Sequence, residues 1–138
     1  MAKIQETKVS LRFSGDDLNP QELTDRLGAV PTSAAVKGEA LPSASGRERF
    51  ARTGKWLLRV EAAAPDEEFE RQVTRLFHQL TSDHATWRDL SERFAGNLFV
   101  GLFLGSSNEG VVIEPETVNA IAARGLELGF DIYSPSDE

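Results

Sequence analysis

Residues 97–104, NLFVGLFL, constrain this chain more than any other stretch. Successive side chains of a strand point to opposite faces, so Leu98, Val100 and Leu102 share one side and Phe99 and Phe103 the other. A strand apolar on both sides belongs in the middle of a sheet, and the rest of the chain must supply the strands and helices around it. In a two-layer fold helices cover only one sheet face. Phe99 and Phe103 then either mark a dimer or partner surface, or lie beneath a long loop or the N-terminal unit.

The other elements follow from periodicity. Residues 7–14, TKVSLRFS, set Val9, Leu11 and Phe13 against Lys8, Ser10 and Arg12, the alternation of a half-buried strand. NPQEL then opens a short helix: Asn19 caps it, Pro20 suits the first position, and Glu22 stands where a capping box needs a carboxylate. Leu23 and Leu27 share a face, and Gly28 is a left-handed stop. Residues 29–53 hold no sustained period. GKWLLRVEA, residues 54–62, is a second strand with Trp56, Leu58 and Val60 on one side. Phe69, Val73, Leu76, Phe77 and Leu80 recur at helical spacing behind an acidic first turn. Trp87, Leu90 and Phe94 define another helical segment, capped near Asp83. After residues 97–104, GSSNEG is a turn and VVIEP a strand returning as a hairpin. Pro115 opens the last helix, with Val118, Ile121 and Ala122 apolar. Gly125 stops it, and Leu126, Leu128, Phe130 and Ile132 alternate as a final strand.

The order β-α-β-α(α)-β-β-α-β predicts one α+β domain over residues 1–138, with no linker or internal repeat. The expected architecture is a two-layer sandwich: a mostly antiparallel five-stranded sheet with helices on one face. Its last six elements form a ferredoxin-like βαββαβ core, preceded by an extra βα unit. The tail, residues 134–138, is expected to fray.

Charge is the next constraint. The net charge of −7 argues against a general nucleic-acid or membrane-surface binder, since both partners are polyanions. Residues 37–59 nevertheless hold six cations against two acids, +4 locally, which leaves −11 elsewhere. Ordering the roughly ten residues from Gly38 to Arg47 costs on the order of 10–20 kcal/mol. Burial of Leu41 returns only about 1.5–3 kcal/mol, so a mobile loop is expected at about 38–48. Beyond it, Phe50 and Trp56 are expected to anchor the chain. Arg49, Arg52, Lys55 and Trp56 could then line an anion site. The alternative is that these cations merely offset the acidic surface.

Catalytic chemistry finds no foothold. The chain has no cysteine, which removes disulfides, thiol nucleophiles and Cys-bound zinc and suits a reducing cytoplasm. His78 and His84 are six apart, which matches no metal spacing, and the nucleophile-elbow, phosphate-loop, dinucleotide and HExxH patterns are missing. Asp16 and Asp17 start like a calcium loop but lack its glycine and distal glutamate. DEEFE is a favourable first helical turn. No catalytic residue, metal ligand or cofactor is assigned. The N-terminus has no apolar signal core, and the longest apolar run is too short to span a bilayer.

Several stretches together resemble a known family. LRFSGDDLNPQELTDRLGAVPT, KGE, TGKWLLRVE and VVIEPETVNAIAARGLELGFDIY are similar to the bacterial DUF4279 proteins, with their G-D-x-L-x-P helix start, Gly-x-Trp strand and D-I-Y ending. The resemblance implies an α+β domain in bacteria and brings no catalytic residues with it. The expected function is therefore a non-enzymatic, cytoplasmic protein-interaction domain of the immunity or inhibitor kind, binding a protein partner or itself. Neither nucleic acid nor membrane is expected to be its partner. The alternative is a regulatory module that binds a small ligand or anion through residues 47–56.

Overall fold

The computed structural model describes residues 4–43, 45–64 and 67–135. Eleven elements follow in order: β1 (Ile4–Gly15), α1 (Pro20–Leu27), β2 (Ser33–Ala35), β3 (Ala40–Leu41), β4 (Arg49–Phe50), β5 (Gly54–Val60), α2 (Phe69–His78), α3 (His84–Arg93), β6 (Ala95–Leu104), α4 (Pro115–Ala123) and β7 (Glu127–Tyr133). The main sheet has the order β2-β5-β1-β6-β7, and β3 pairs with β4 in a separate ladder.

The N-terminal strand is the centre of this sheet. β1 pairs antiparallel with β5, Val9 opposite Val60 and Phe13 opposite Trp56, and antiparallel with β6 on its other side, Val9 opposite Val100 and Leu11 opposite Leu98. All four helices pack on one face. Val9, Leu11, Phe13, Trp56, Leu98 and Val100 are essentially sealed there against Leu23, Leu27, Leu76, Trp87 and Leu90, in one continuous apolar cluster.

The helix boundaries follow their caps. The Asn19 side chain accepts from Gln21 N at 3.0 Å, Pro20 fills the first position of α1, and Gly28 stops it at φ 87°. Asp83 accepts from Ala85 N at 3.2 Å at the start of α3. Glu22 does not close the expected capping box. Its carboxylate is drawn instead to the Arg93 guanidinium, at 2.7 and 2.9 Å, where a charged donor offers more than a backbone N–H.

Three expectations need correction. The sheet is mixed rather than mostly antiparallel, because β7 runs parallel to β6, Asn97 opposite Glu127 and Phe103 opposite Tyr133. Residues 111–114 form no strand, so the βαββαβ run lacks its hairpin. Both edges of β6 are already taken, by β1 and β7, and the β7 ladder satisfies far more backbone than a short Val-Val-Ile run could. Val112 is left 75 % exposed, and only Ile113 packs against the core. Finally, residues 33–35 do form a strand, β2, although Ser-Ala-Ala carries no alternation. Its pairing with residues 55–57 of β5 supplies the order.

The stretch expected to be a mobile loop, about 38–48, lies within a hairpin. Its base is tied by the β3–β4 ladder and by paired bonds between Gly38 N and Ala51 O, 2.8 Å, and Ala51 N and Glu39 O, 2.9 Å. Residue 44 of that stretch and residues 136–138 of the expected frayed tail fall outside the described residues.

Candidate functional site

The four residues of the expected anion site divide between two environments. Arg49 on β4, Arg52 in the following turn and Lys55 on β5 are exposed. Trp56 is fully buried on the opposite side of β5 from Lys55, and its indole Nε1 donates to Thr24 Oγ1 at 3.2 Å. The structure therefore does not bring Trp56 together with the three cations. Phe50, expected as an anchor, is 55 % exposed, and the buried residue at this end of the hairpin is Ala51. The Gly-Lys-Trp stretch has a structural basis: a Cβ on Gly54 would sit 2.7 Å from Gly15 O and 2.9 Å from Leu18 O. Lys37 reaches Asp16 at 3.1 Å. Its hydrogen bond, with a further one from Thr53, holds the Asp16 carboxyl below its ordinary value.

The helix-free face of the sheet carries the more developed arrangement. Alternation on β1, β6 and β7 sends to it the residues that the core does not take, and the register sorts them into four rows. Arg12, Asn97 and Glu127 form the first, and Ser10, Phe99 and Gly129 the second. Lys8, Gly101 and Asp131 form the third, and Glu6, Phe103 and Tyr133 the fourth. Phe99 and Phe103 thus point away from the helices, as their alternation requires, and both are half-buried. The Arg12 guanidinium lies 3.9 Å from the centre of the Phe99 ring, and Lys8 Nζ lies 5.4 Å from that of Phe103. Phe103 stacks on Tyr133 with ring centres 4.5 Å apart and planes 8° from parallel. The Tyr133 hydroxyl donates to Asp131 at 2.6 Å, and this bond to the carboxylate raises the phenol above its ordinary value. Arg12 Nε and Asn97 Oδ1, in the first row, are buried without a hydrogen-bond partner among the described residues.

The same face deepens into an open groove at one end. It has a volume of about 740 Å³, with Glu6, Lys8, Arg59, Glu61 and Phe103 among its walls. Both signs of charge and an aromatic ring meet there.

The remaining polar clusters hold the helices together. Glu67 takes two bonds from Arg75, at 2.6 and 2.8 Å, which keeps its carboxyl below the ordinary range. Glu70 Oε2 accepts from Glu114 N at 2.9 Å and from Thr117 Oγ1 at 2.5 Å, so a residue of α2 caps the start of α4, whose own cap residue makes no side-chain bond. Of the DEEFE acids, Glu67 thus serves an ion pair and Glu70 a helix end. His78 and His84 are exposed, and among the described residues no three His, Asp or Glu side chains are grouped to hold a metal ion. Among the same residues no helix is long and apolar enough to cross a membrane.

Sequence reasoning located Phe99 and Phe103 on this face but missed Lys8, Arg12, Asp131 and Tyr133. The signal for the first two was the polar half of the β1 alternation. Only the strand order reveals that it runs beside the two phenylalanines.

No curated protein and no solved structure matches the chain. A protein family described as Domain of unknown function (DUF4279) matches residues 5–135 of the 138. With nearly the whole domain matched, the chain belongs to the DUF4279 family.

Proposed function

We propose that the domain is a non-enzymatic protein-interaction module of the immunity or inhibitor kind, working in the bacterial cytoplasm, and that the helix-free sheet face is its docking surface. The supporting observation is the set of half-exposed rings of Phe99, Phe103 and Tyr133, flanked by Lys8 and Arg12 on one side and Glu127 and Asp131 on the other. Aromatic side chains supply contact area at low cost in conformational entropy, and flanking charges of both signs select orientation. The test is a capture from the native cell with the tagged domain and its Phe99→Asp variant, with crosslinks mapped. We expect crosslinks from Lys8 and Lys55 to a stoichiometric protein, lost in the variant. Recovery of no such protein, or equal recovery by the variant, counts against the assignment.

A second reading rests on Arg47, Arg49, Arg52 and Lys55, which are exposed and form no ion pair among the described residues. They could hold an anion without Trp56. Thermal shifts of the wild type and of the Arg49→Ala, Arg52→Ala double variant across phosphates and nucleotides test it. Equal shifts remove its basis.

A further inference from the structure

The helix-free face carries its own complement. Across the middle strand β6, each cation of β1 has a carboxylate of β7 in the same row. Arg12 and Glu127 flank Asn97, and Lys8 and Asp131 flank Gly101. A two-fold axis laid along β6, between two such faces, keeps every residue in its row and exchanges the β1 side for the β7 side. Arg12 of one copy then meets Glu127 of the other, and Lys8 meets Asp131. Each pair occurs twice, as an isologous interface requires.

The rows between the charges fit the same operation. Phe99 lies on the axis between Ser10 and Gly129, and a Cβ on Gly129 would meet no atom within 4 Å. The partner's ring therefore has room beside it. Asn97 lies on the axis as well, half-buried between Arg12 and Glu127. In the last row Glu6 meets Tyr133 of the other copy. With the axis along β6, the strands β1, β6 and β7 of one copy lie opposite β7, β6 and β1 of the other, a paired area roughly 14 by 24 Å, about 350 Å² in projection, which is the scale of a weak, transient contact.

We infer that the partner for this face is a second copy of the same chain, docked face to face with its two-fold axis along β6. The inference rests on the docking role proposed above and commits it to one occupant. Light scattering and sedimentation at low salt should give twice the 15.1 kDa chain mass, with dissociation promoted by added salt. Arg12→Glu with Lys8→Glu gives both proposed pairs two acids, and Glu127→Lys with Asp131→Lys gives them two bases. Each variant alone should be monomeric, its dissociation constant raised at least about a hundredfold, while an equal mixture of the two should form a heterodimer. Circular dichroism checks that both fold, and the mixture restores pairing only if they do.

A wild type of single-chain mass at high concentration overturns the inference. So does a dimer unaffected by either double variant, or a pair of folded variants that fail to recombine. Failure of the broader docking reading is read separately. A monomeric wild type that captures another protein in a Phe99-dependent way refutes only the self-pairing.

Discussion

Trp56 offers the sharpest contrast between a residue that lines an anion site and one that holds the fold together. Its side chain is fully buried between β5 and α1, with one polar contact, the 3.2 Å bond from the indole to Thr24 Oγ1. An aromatic side chain of this kind removes about 150–250 Å² from water, which at about 25 cal/mol per Å² is worth roughly 4–6 kcal/mol as an upper bound. Thr24 is half-exposed and can turn to water, so the lost bond adds at most about 1 kcal/mol. Trp56→Ala should therefore cost about 4 kcal/mol, within the range measured for large aromatic truncations. Against a total stability of about 5–15 kcal/mol that is a large fraction. In urea unfolding followed by far-ultraviolet circular dichroism, a slope near 2 kcal/mol per M turns this into a midpoint lower by about 2 M. Lys55→Ala, one residue away but on the other side of the strand, should change stability by less than about 0.5 kcal/mol. A double-mutant cycle of Trp56→Phe and Thr24→Val should return a coupling of about 1 kcal/mol. If Trp56→Ala keeps its midpoint within the error of the wild type, the placement of this ring in the core is wrong.

Three further perturbations test other parts of the molecule. Glu70→Ala removes the cap that α2 provides for α4 and should cost about 1–2 kcal/mol, with faster amide exchange confined first to residues 114–117. Gly96→Ala places a methyl group 2.6 Å from the Phe13 ring and 3.1 Å from Leu126, and the overpacking should cost about 1–3 kcal/mol in thermal or urea unfolding. The third concerns acid. Glu22 and Asp89 titrate below their ordinary values, Glu22 first through its bond from Arg93 and Asp89 first through its bond from Arg26. A carboxyl lowered by folding stabilises the native state above its unfolded value, and that stabilisation is lost as pH falls through the folded value. Wild-type stability should therefore decline from about pH 4 downward, and Arg93→Ala should flatten that decline while lowering the plateau at neutral pH. An identical acid profile in the variant would rule out the network as its source.

Most of the secondary structure could be read from local chemistry. Asn19 with Pro20, Gly28, Asp83 and Gly125 set helix ends without reference to the rest of the fold, and alternation on β1, β5, β6 and β7 marked the side that faces the helices. What local chemistry does not contain is competition for a strand edge. Residues 111–114 have the composition of a strand, yet β7 takes the place beside β6, so the sheet becomes mixed. β2 is the converse, three small residues made into a strand by the edge of β5. The same limit governed the candidate site. Phe99 and Phe103 were legible because a single strand is apolar on both sides. Their neighbours Lys8 and Arg12 lie roughly ninety residues earlier, and only pairing of β1 with β6 joins them. Trp56 was misassigned because proximity in sequence to Lys55 says nothing about side: adjacent strand residues point in opposite directions.

The central position of β1 also sets an order of events during synthesis. Its residues leave the ribosome before those of either neighbour, and the second of the two ends only at Leu104. At about 5–20 residues per second, some 2–9 s separate the emergence of β5 from that of β6. Through this interval the half-sheet of β2, β5 and β1 presents an unpaired edge, with Val9, Leu11 and Phe13 lacking the β6 residues that will flank them. The nascent domain is thus most open to wrong pairing when it is about two-thirds made. Stalled chains ending before β6 should be markedly more sensitive to protease than chains in which β6 and β7 have cleared the exit tunnel.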